Sequence, residues 1–199
     1  MEKTCGWDQK TLAGGGRSVW LLLGWAVLLT SGPAGAADSN PLPDAGQTKC
    51  YDTNGTEITC PAAGQPLLGQ EAQYHGAAPS YSATTNTVAD NNTGLVWMKS
   101  DDGTTRTWQG AVDYCNGLDY AGQTDWRLPT RFELKSIVDY GRTNPAINSA
   151  FTCQSSSYWS ATTYADYPAG AWVVYFYTGY DYWYIKTNSY YVRCVRAGL

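Results

Sequence analysis

The sequence is poor in the groups on which most enzyme chemistry rests. It has a single histidine, His75, set in a polar stretch of the leader. Neither a Ser-His-Asp triad nor a histidine-based metal site therefore has support. Charge is also scarce: 13 Lys and Arg against 17 Asp and Glu leave a net charge of −4 over 199 residues. Nucleic acid is a poor partner for such a chain, because neutralising phosphates takes clustered cations. There is no internal repeat and no long low-complexity tract. Beyond one N-terminal run, no apolar stretch is long enough to cross a bilayer as a helix. We expect no cofactor, no metal and no enzymatic activity.

That N-terminal run has a specific setting. Lys3, Lys10 and Arg17 precede the apolar residues 19–29, then come Ser31-Gly32-Pro33 and Ala34-Gly35-Ala36. The pattern predicts a secretory signal peptide over residues 1–36 and a mature start at Ala37. An uncleaved anchor is the alternative, and the run is short for a span of about 20 residues. The cleavage site has no cysteine to carry a lipid. The protein is thus expected to be exported, secreted or at the surface of a bacterial cell, with no membrane span left after cleavage.

Export gives the cysteines a meaning. Cys5 leaves with the signal peptide, so Cys50, Cys60, Cys115, Cys153 and Cys194 meet an oxidising compartment. An odd number leaves at least one thiol free or paired between chains. Cys50 and Cys60 flank a Gly/Asn-containing loop and are expected to pair. A Cys115–Cys194 bridge would close a far longer loop, worth about 4.5 kcal/mol in the chain-entropy model against roughly 3 for the short one. Cys153 would then be left over, as a buried thiol or a link to another chain.

Residues 37–80 are rich in Pro, Gly, Asn and Thr and read as an extended leader stapled by Cys50 and Cys60. The domain proper is placed at 81–199. It opens with a β-hairpin: Ser82 to Ala89 alternates, Asp90-Asn91-Asn92-Thr93-Gly94 turns, and Leu95 to Lys99 is apolar. Thr107 then caps a helix with Trp108, Ala111, Val112, Cys115 and Leu118 on one face. Thr130-x-x-Glu133 is a capping box for a second helix, which buries Leu134, Ile137 and Val138 and ends near Gly141. Asp101, Asp102, Asp113 and Asp119 read as solvated carboxylates rather than a calcium cage, and Arg127 as a tie between loops.

The last third returns to strands and carries the unusual composition. Tyr158 to Thr162 is one strand. In Ala171 to Tyr177, Trp172, Val174 and Phe176 are expected to face the core, with Tyr175 and Tyr177 outward. Tyr180 to Ser189 has a weak pattern, and Tyr191 to Arg196 is a final strand with Val192 and Cys194 on one face. Tyrosines are denser here than a core could use, and adjacent rings in Tyr182-Trp183-Tyr184 and Tyr190-Tyr191 cannot all point inward. A surface of Tyr, Trp, Ser, Asn and Asp resembles a paratope, with rigid rings for contact area and small polar groups for adaptable hydrogen bonds. The candidate ligand-binding residues are Tyr164, Tyr167, Tyr175, Tyr177, Tyr180, Asp181, Tyr182, Trp183, Tyr184, Lys186, Asn188, Ser189 and Tyr190.

Taken in order, several motifs carry a resemblance. They are Thr93-Gly94-Leu95-Val96-Trp97, Tyr114-Cys115, Asp125-Trp126-Arg127-Leu128-Pro129-Thr130, Tyr158-Trp159-Ser160, Trp172-Val173-Val174 with Phe176, and Tyr191-Val192-Arg193-Cys194-Val195-Arg196. Over residues 81–198 the chain resembles the bacterial family of domains of unknown function 1566, also called the C-terminal domain of the Legionella collagen-like adhesin. The resemblance implies an α+β, C-type-lectin-like fold: two helices on a small twisted antiparallel sheet, with a long irregular loop region. It also implies the Cys115–Cys194 bridge. The Glu-Pro-Asn and Gln-Pro-Asp tripeptides of calcium-dependent sugar sites are absent, so that activity is not carried over. The fold is shared with formylglycine-generating enzymes, whose paired cysteines a lone Cys153 does not supply.

The C-terminal stretch also resembles the variable segment of proteins diversified by retroelements. Tyr175, Tyr177, Tyr180, Asp181, Tyr182, Tyr184, Asn188, Ser189 and Tyr190 are residue types reachable from Asn codons by adenine replacement. Trp172, Val174, Phe176, Gly179, Lys186, Val192 and Arg193 would be fixed scaffold. The expected partner is a protein or glycan ligand on another cell or surface. An adhesin for glycans and a self-assembling envelope module are the competing readings, and the oligomeric state is left open.

Overall fold

The computed structural model describes residues 44–73 and 76–198. The expected signal peptide, its cleavage site, Cys5 and His75 lie outside the described residues. Two α-helices and three small antiparallel sheets make up the described chain, an α+β arrangement. None of these helices is long and apolar enough to cross a membrane.

The leader forms a two-stranded sheet, β1 (Cys50–Tyr51) with β2 (Glu57–Ile58). The Asp52 carboxylate accepts the N–H groups of Asn54 and Thr56 and so shapes the turn. The Cys50–Cys60 disulfide closes this unit as expected. The leader is not merely extended, however. Tyr140 N–H donates to the Ala45 carbonyl at 2.7 Å, which ties the leader to the chain beyond the second helix.

A four-stranded sheet follows, ordered β3 (Tyr81–Ala83), β4 (Thr87–Asp90), β5 (Leu95–Met98) and β9 (Val195–Ala197). The expected hairpin is β4–β5. Its turn is built by Asp90, whose carboxylate accepts the Asn92 and Thr93 N–H groups and the Thr93 hydroxyl. β9 pairs with β5, bringing the end of the chain against the hairpin.

Both caps form as the residue types require. Thr107 accepts the Gly110 N–H at the start of α1 (Trp108–Asn116), which buries Ala111 and Cys115. Thr130 and Glu133 complete the capping box of α2 (Arg131–Ser136). α2 stops at Ser136, short of the Gly141 end expected from the apolar stripe. Ile137 is its C-cap, and Val138 instead bridges to Ile147 in extended pairing.

The third sheet is β6 (Ser157–Thr163), β7 (Gly170–Tyr175) and β8 (Tyr180–Ile185), in that order. Two cores lie against it. Leu134, Ile137, Tyr158, Val174 and Phe176 belong to one, with Val88 and Trp97 from the first hairpin. Trp159, Ala171 and Val173 belong to the other, with Ala111, Cys115, Trp126, Val192 and Cys194. The Cys115–Cys194 disulfide sits in this second core and pins α1 to the segment before β9.

Two expectations need correction here. Trp172 is half-buried rather than in the core, because Val173 and Val174 are both fully buried and β7 is covered on both faces. The final strand is shorter than Tyr191 to Arg196 and shifted to Val195–Ala197. Upstream of it, buried Arg193 donates to the carbonyls of Met98, Lys99 and Thr152. Tyr180 to Ser189, the stretch with the weakest pattern, contains a regular strand, β8.

Candidate functional site

β8 is an edge strand of its sheet, and its position follows from a tight turn. Gly179 holds φ at +84°, and a Cβ there would come within 2.6 Å of Val138 and 3.0 Å of Tyr140. Only glycine fits this left-handed, close-packed corner. The chain then returns in register with β7, pairing Tyr175 with Tyr180, Val173 with Tyr182 and Ala171 with Tyr184, alternating with Val174–Asp181 and Trp172–Trp183. Directly opposed residues share a face, so β8 presents two different aromatic surfaces.

On the first face, Tyr175, Tyr182 and Tyr184 with Ser157 line an open cavity of about 380 Å3. Tyr175 stacks on Tyr177 with ring centroids 5.8 Å apart. Tyr184 packs against Tyr190 at 4.9 Å, and Tyr190 meets the buried Trp159 edge-on at 5.1 Å. Tyr190 and Tyr191 are both half-buried, so the adjacent-ring expectation of outward display fails for this pair: each ring has a core ring to pack on. Burial also pushes the Tyr190 phenol above its ordinary pKa.

On the second face, Trp183 stacks on Tyr164 at 4.9 Å and contacts Tyr167 at 5.6 Å, while Tyr164 meets Trp172 edge-on. Gly170 lies beneath; a Cβ there would approach the Trp183 ring to 2.9 Å. The Arg131 guanidinium sits 3.6 Å over the Trp172 ring, a cation–π contact that explains why this ring stays at the surface. Arg131 also pairs with Asp181, which takes a second ion pair from Lys135 at 2.9 Å. Burial works against the Asp181 carboxylate, but the Lys135 and Arg131 hydrogen bonds outweigh it and lower its pKa.

Among the remaining candidates, Lys186 is already engaged. Its ammonium donates to the Thr163 hydroxyl at 2.9 Å and lies 4.1 Å over the Trp108 ring. Asn188 and Ser189 are exposed in the turn after β8. The free rings are thus Tyr180, Tyr182, Trp183 and Tyr184, at 60%, 46%, 40% and 37% exposure, with Tyr167 and Tyr177 beside them. Asp181 and Lys186 have structural partners, which leaves the exposed surface here mainly to the rings.

The sequence reading missed Ser157, Arg131, Ile185 and Phe132. Phe132 is 77% exposed and, with Asp44, Lys135, Val138 and Tyr140, lines a second cavity of about 500 Å3. Its position could have been found from helical spacing, since it falls off the Leu134, Ile137 and Val138 stripe. Arg127 does tie the chain, through a two-point pair with Glu133 at 2.6 and 2.8 Å. Cys153 is a free thiol, half-buried, with its pKa raised by burial and therefore weakly nucleophilic.

The two helices, the Cys115–Cys194 bridge and the motifs that build β5, α2, β7 and β9 all fall inside one matched region. The family model of the Lcl C-terminal domain (Lcl_C) matches residues 86–196, more than half of the chain. The chain belongs to the Lcl_C family. No curated protein matches it. The Lcl_C region contains both faces of β8, α2 and the long disulfide, while the leader disulfide lies before it. Two disulfides fit an oxidising compartment outside the cytosol.

Proposed function

We propose that this Lcl_C domain is an exported, non-enzymatic recognition module of C-type-lectin-like fold, binding a protein or glycan at a cell surface through the rings of β8. The observation that carries this reading is the run Tyr180, Tyr182, Trp183 and Tyr184, exposed on a strand whose neighbour is buried on both faces. Large rings held by a rigid sheet lose little entropy on binding, and such aromatics dominate hot spots. The cavity against Tyr175, Tyr182 and Tyr184 falls in the size range of small-ligand clefts. This favours a glycan as the second form of the reading.

Retroelement diversification is part of the same proposal. Tyr177, Tyr180, Tyr182, Tyr184, Asn188 and Ser189 are exposed, whereas Val174, Phe176, Gly179, Val192 and Arg193 are buried. Positions of the first kind can change without touching either core. The locus should then hold a reverse transcriptase gene and a near-copy of the coding segment for residues 171–199. A locus with neither would remove diversification and leave recognition standing.

Recognition itself is tested by probing glycan and protein microarrays with the labelled chain and its Tyr182→Ala/Tyr184→Ala variant. The expected outcome is a specific signal that falls at least about tenfold in the variant while the melting temperature holds. A signal that the variant retains in full would defeat the proposal.

A further inference from the structure

The backbone edge of β8 offers chemistry distinct from its rings. Lys186 N–H donates to the Ala169 carbonyl, which fixes the phase of the β7–β8 ladder. Hydrogen-bonded pairs alternate along antiparallel strands, so the main chain of Tyr180, Tyr182 and Tyr184 serves β7. The N–H and C=O groups of Asp181, Trp183 and Ile185 point off the sheet. Among the described residues, only the Ile185 carbonyl has a backbone partner there, the Asn188 N–H at 2.9 Å.

Natural edges are usually blunted by a lysine, a proline, a bulge or extreme shortness. β8 spans Tyr180–Ile185 and has none of these. By contrast the edge strand β3 is only Tyr81–Ala83, and β9 is covered by the Arg127–Val195 bridge. The one carboxylate of β8, Asp181, is already neutralised by Arg131 and Lys135. A second β8 can therefore approach without opposing like charges.

We infer that β8 is the interface of a homodimer, two β8 edges pairing antiparallel about a twofold axis at Trp183. That register sets Trp183 opposite its symmetry mate, Asp181 opposite Ile185 and Tyr182 opposite Tyr184 of the second copy. The Trp183 main chains of both copies, and the Ile185 N–H with the Asp181 carbonyl, are then hydrogen-bonded, the Ile185 carbonyl being already held by Asn188, and the aromatic cross-strand pairs add stability. An isologous contact of this kind consumes the edge in a single step, so assembly closes at two copies instead of growing into a fibre. The joined sheet carries both tyrosine faces side by side, so a surface-bound ligand would be engaged twice.

Sedimentation of the disulfide-intact chain over a concentration series should show a monomer–dimer equilibrium. Trp183→Lys, which sets two ammonium groups opposite each other, should weaken it at least about tenfold. A second measurement does not depend on how that variant folds. In a Cys153→Ser background, Trp183→Cys should cross-link to itself on mild oxidation, because opposed strand residues lie within disulfide reach, while Tyr177→Cys should not. A native chain that stays monomeric, a dimer that survives Trp183→Lys, or equal cross-linking at both positions would overturn the inference. Array binding by a monomeric native chain would leave the recognition reading intact.

Discussion

β7 and β8 are neighbouring strands of equal length, hydrogen-bonded along their whole span, yet they belong to different parts of the molecule's chemistry. Ala171, Val173 and Val174 of β7 are fully buried, between two cores. β8 contributes a single inward-tied side chain, Asp181, and exposes the rest. One strand supplies the packing on which the other is held. A strand placed at the edge of a sheet gains rigidity from its neighbour without having to bury its own side chains.

The largest effect should come from the buried side. Phe176→Ala removes a fully buried ring just after β7 and should cost roughly 3–5 kcal/mol, read by urea or thermal unfolding. A cost near zero would erase the distinction between the strands. An intermediate effect should follow from acid. Glu133 is held down to about 2, first by the Arg127 hydrogen bonds and then by those of Thr130, and Asp181 is lowered by Lys135 and Arg131 against its burial.

Both folded-state pKa values lie below the unfolded ones. Their stabilisation is therefore complete above the ordinary carboxylate range and is lost as pH falls from about 4.5 toward 2. Glu133→Gln should flatten that part of the stability–pH curve, and Asp181→Asn should flatten its lower end. If the curve keeps its slope in both variants, these pairs do not couple α2 to the fold as described. The smallest effect should come from Tyr180→Ala, whose ring is 60% exposed: within about 0.5 kcal/mol of native stability in the same assay. A larger loss would place β8 with the scaffold.

Much of this was legible in the residues. The Asp90-to-Gly94 turn, the Thr107 cap and the Thr130–Glu133 box are local chemistry, and each forms as its side chains dictate. Both disulfides also follow their expected pairing. Trp172 was misplaced because a two-residue period marks one buried face, whereas β7 meets a core on each side and spares this ring for Arg131. β8 was hard to see for the opposite reason: exposed on both faces, it has no apolar alternation to read. The buried fork of hydrogen bonds made by Arg193, just before β9, is a long-range arrangement that spacing does not encode. Which rings stay free at the site rested on similar partnerships, among them Lys186 with Thr163 and Tyr190 with Trp159.

The Cys115–Cys194 bridge has a consequence for survival among proteases. The bond joins residues separated by 79 positions, and α2, β6, β7 and β8 all lie within that ring. The exposed turn carrying Asn188 and Ser189 is the kind of site where cleavage concentrates. A single cut there opens the ring without releasing a fragment, because both new ends remain joined through sulfur. β8 stays held against β7 by its ladder, and only reduction would let the halves separate.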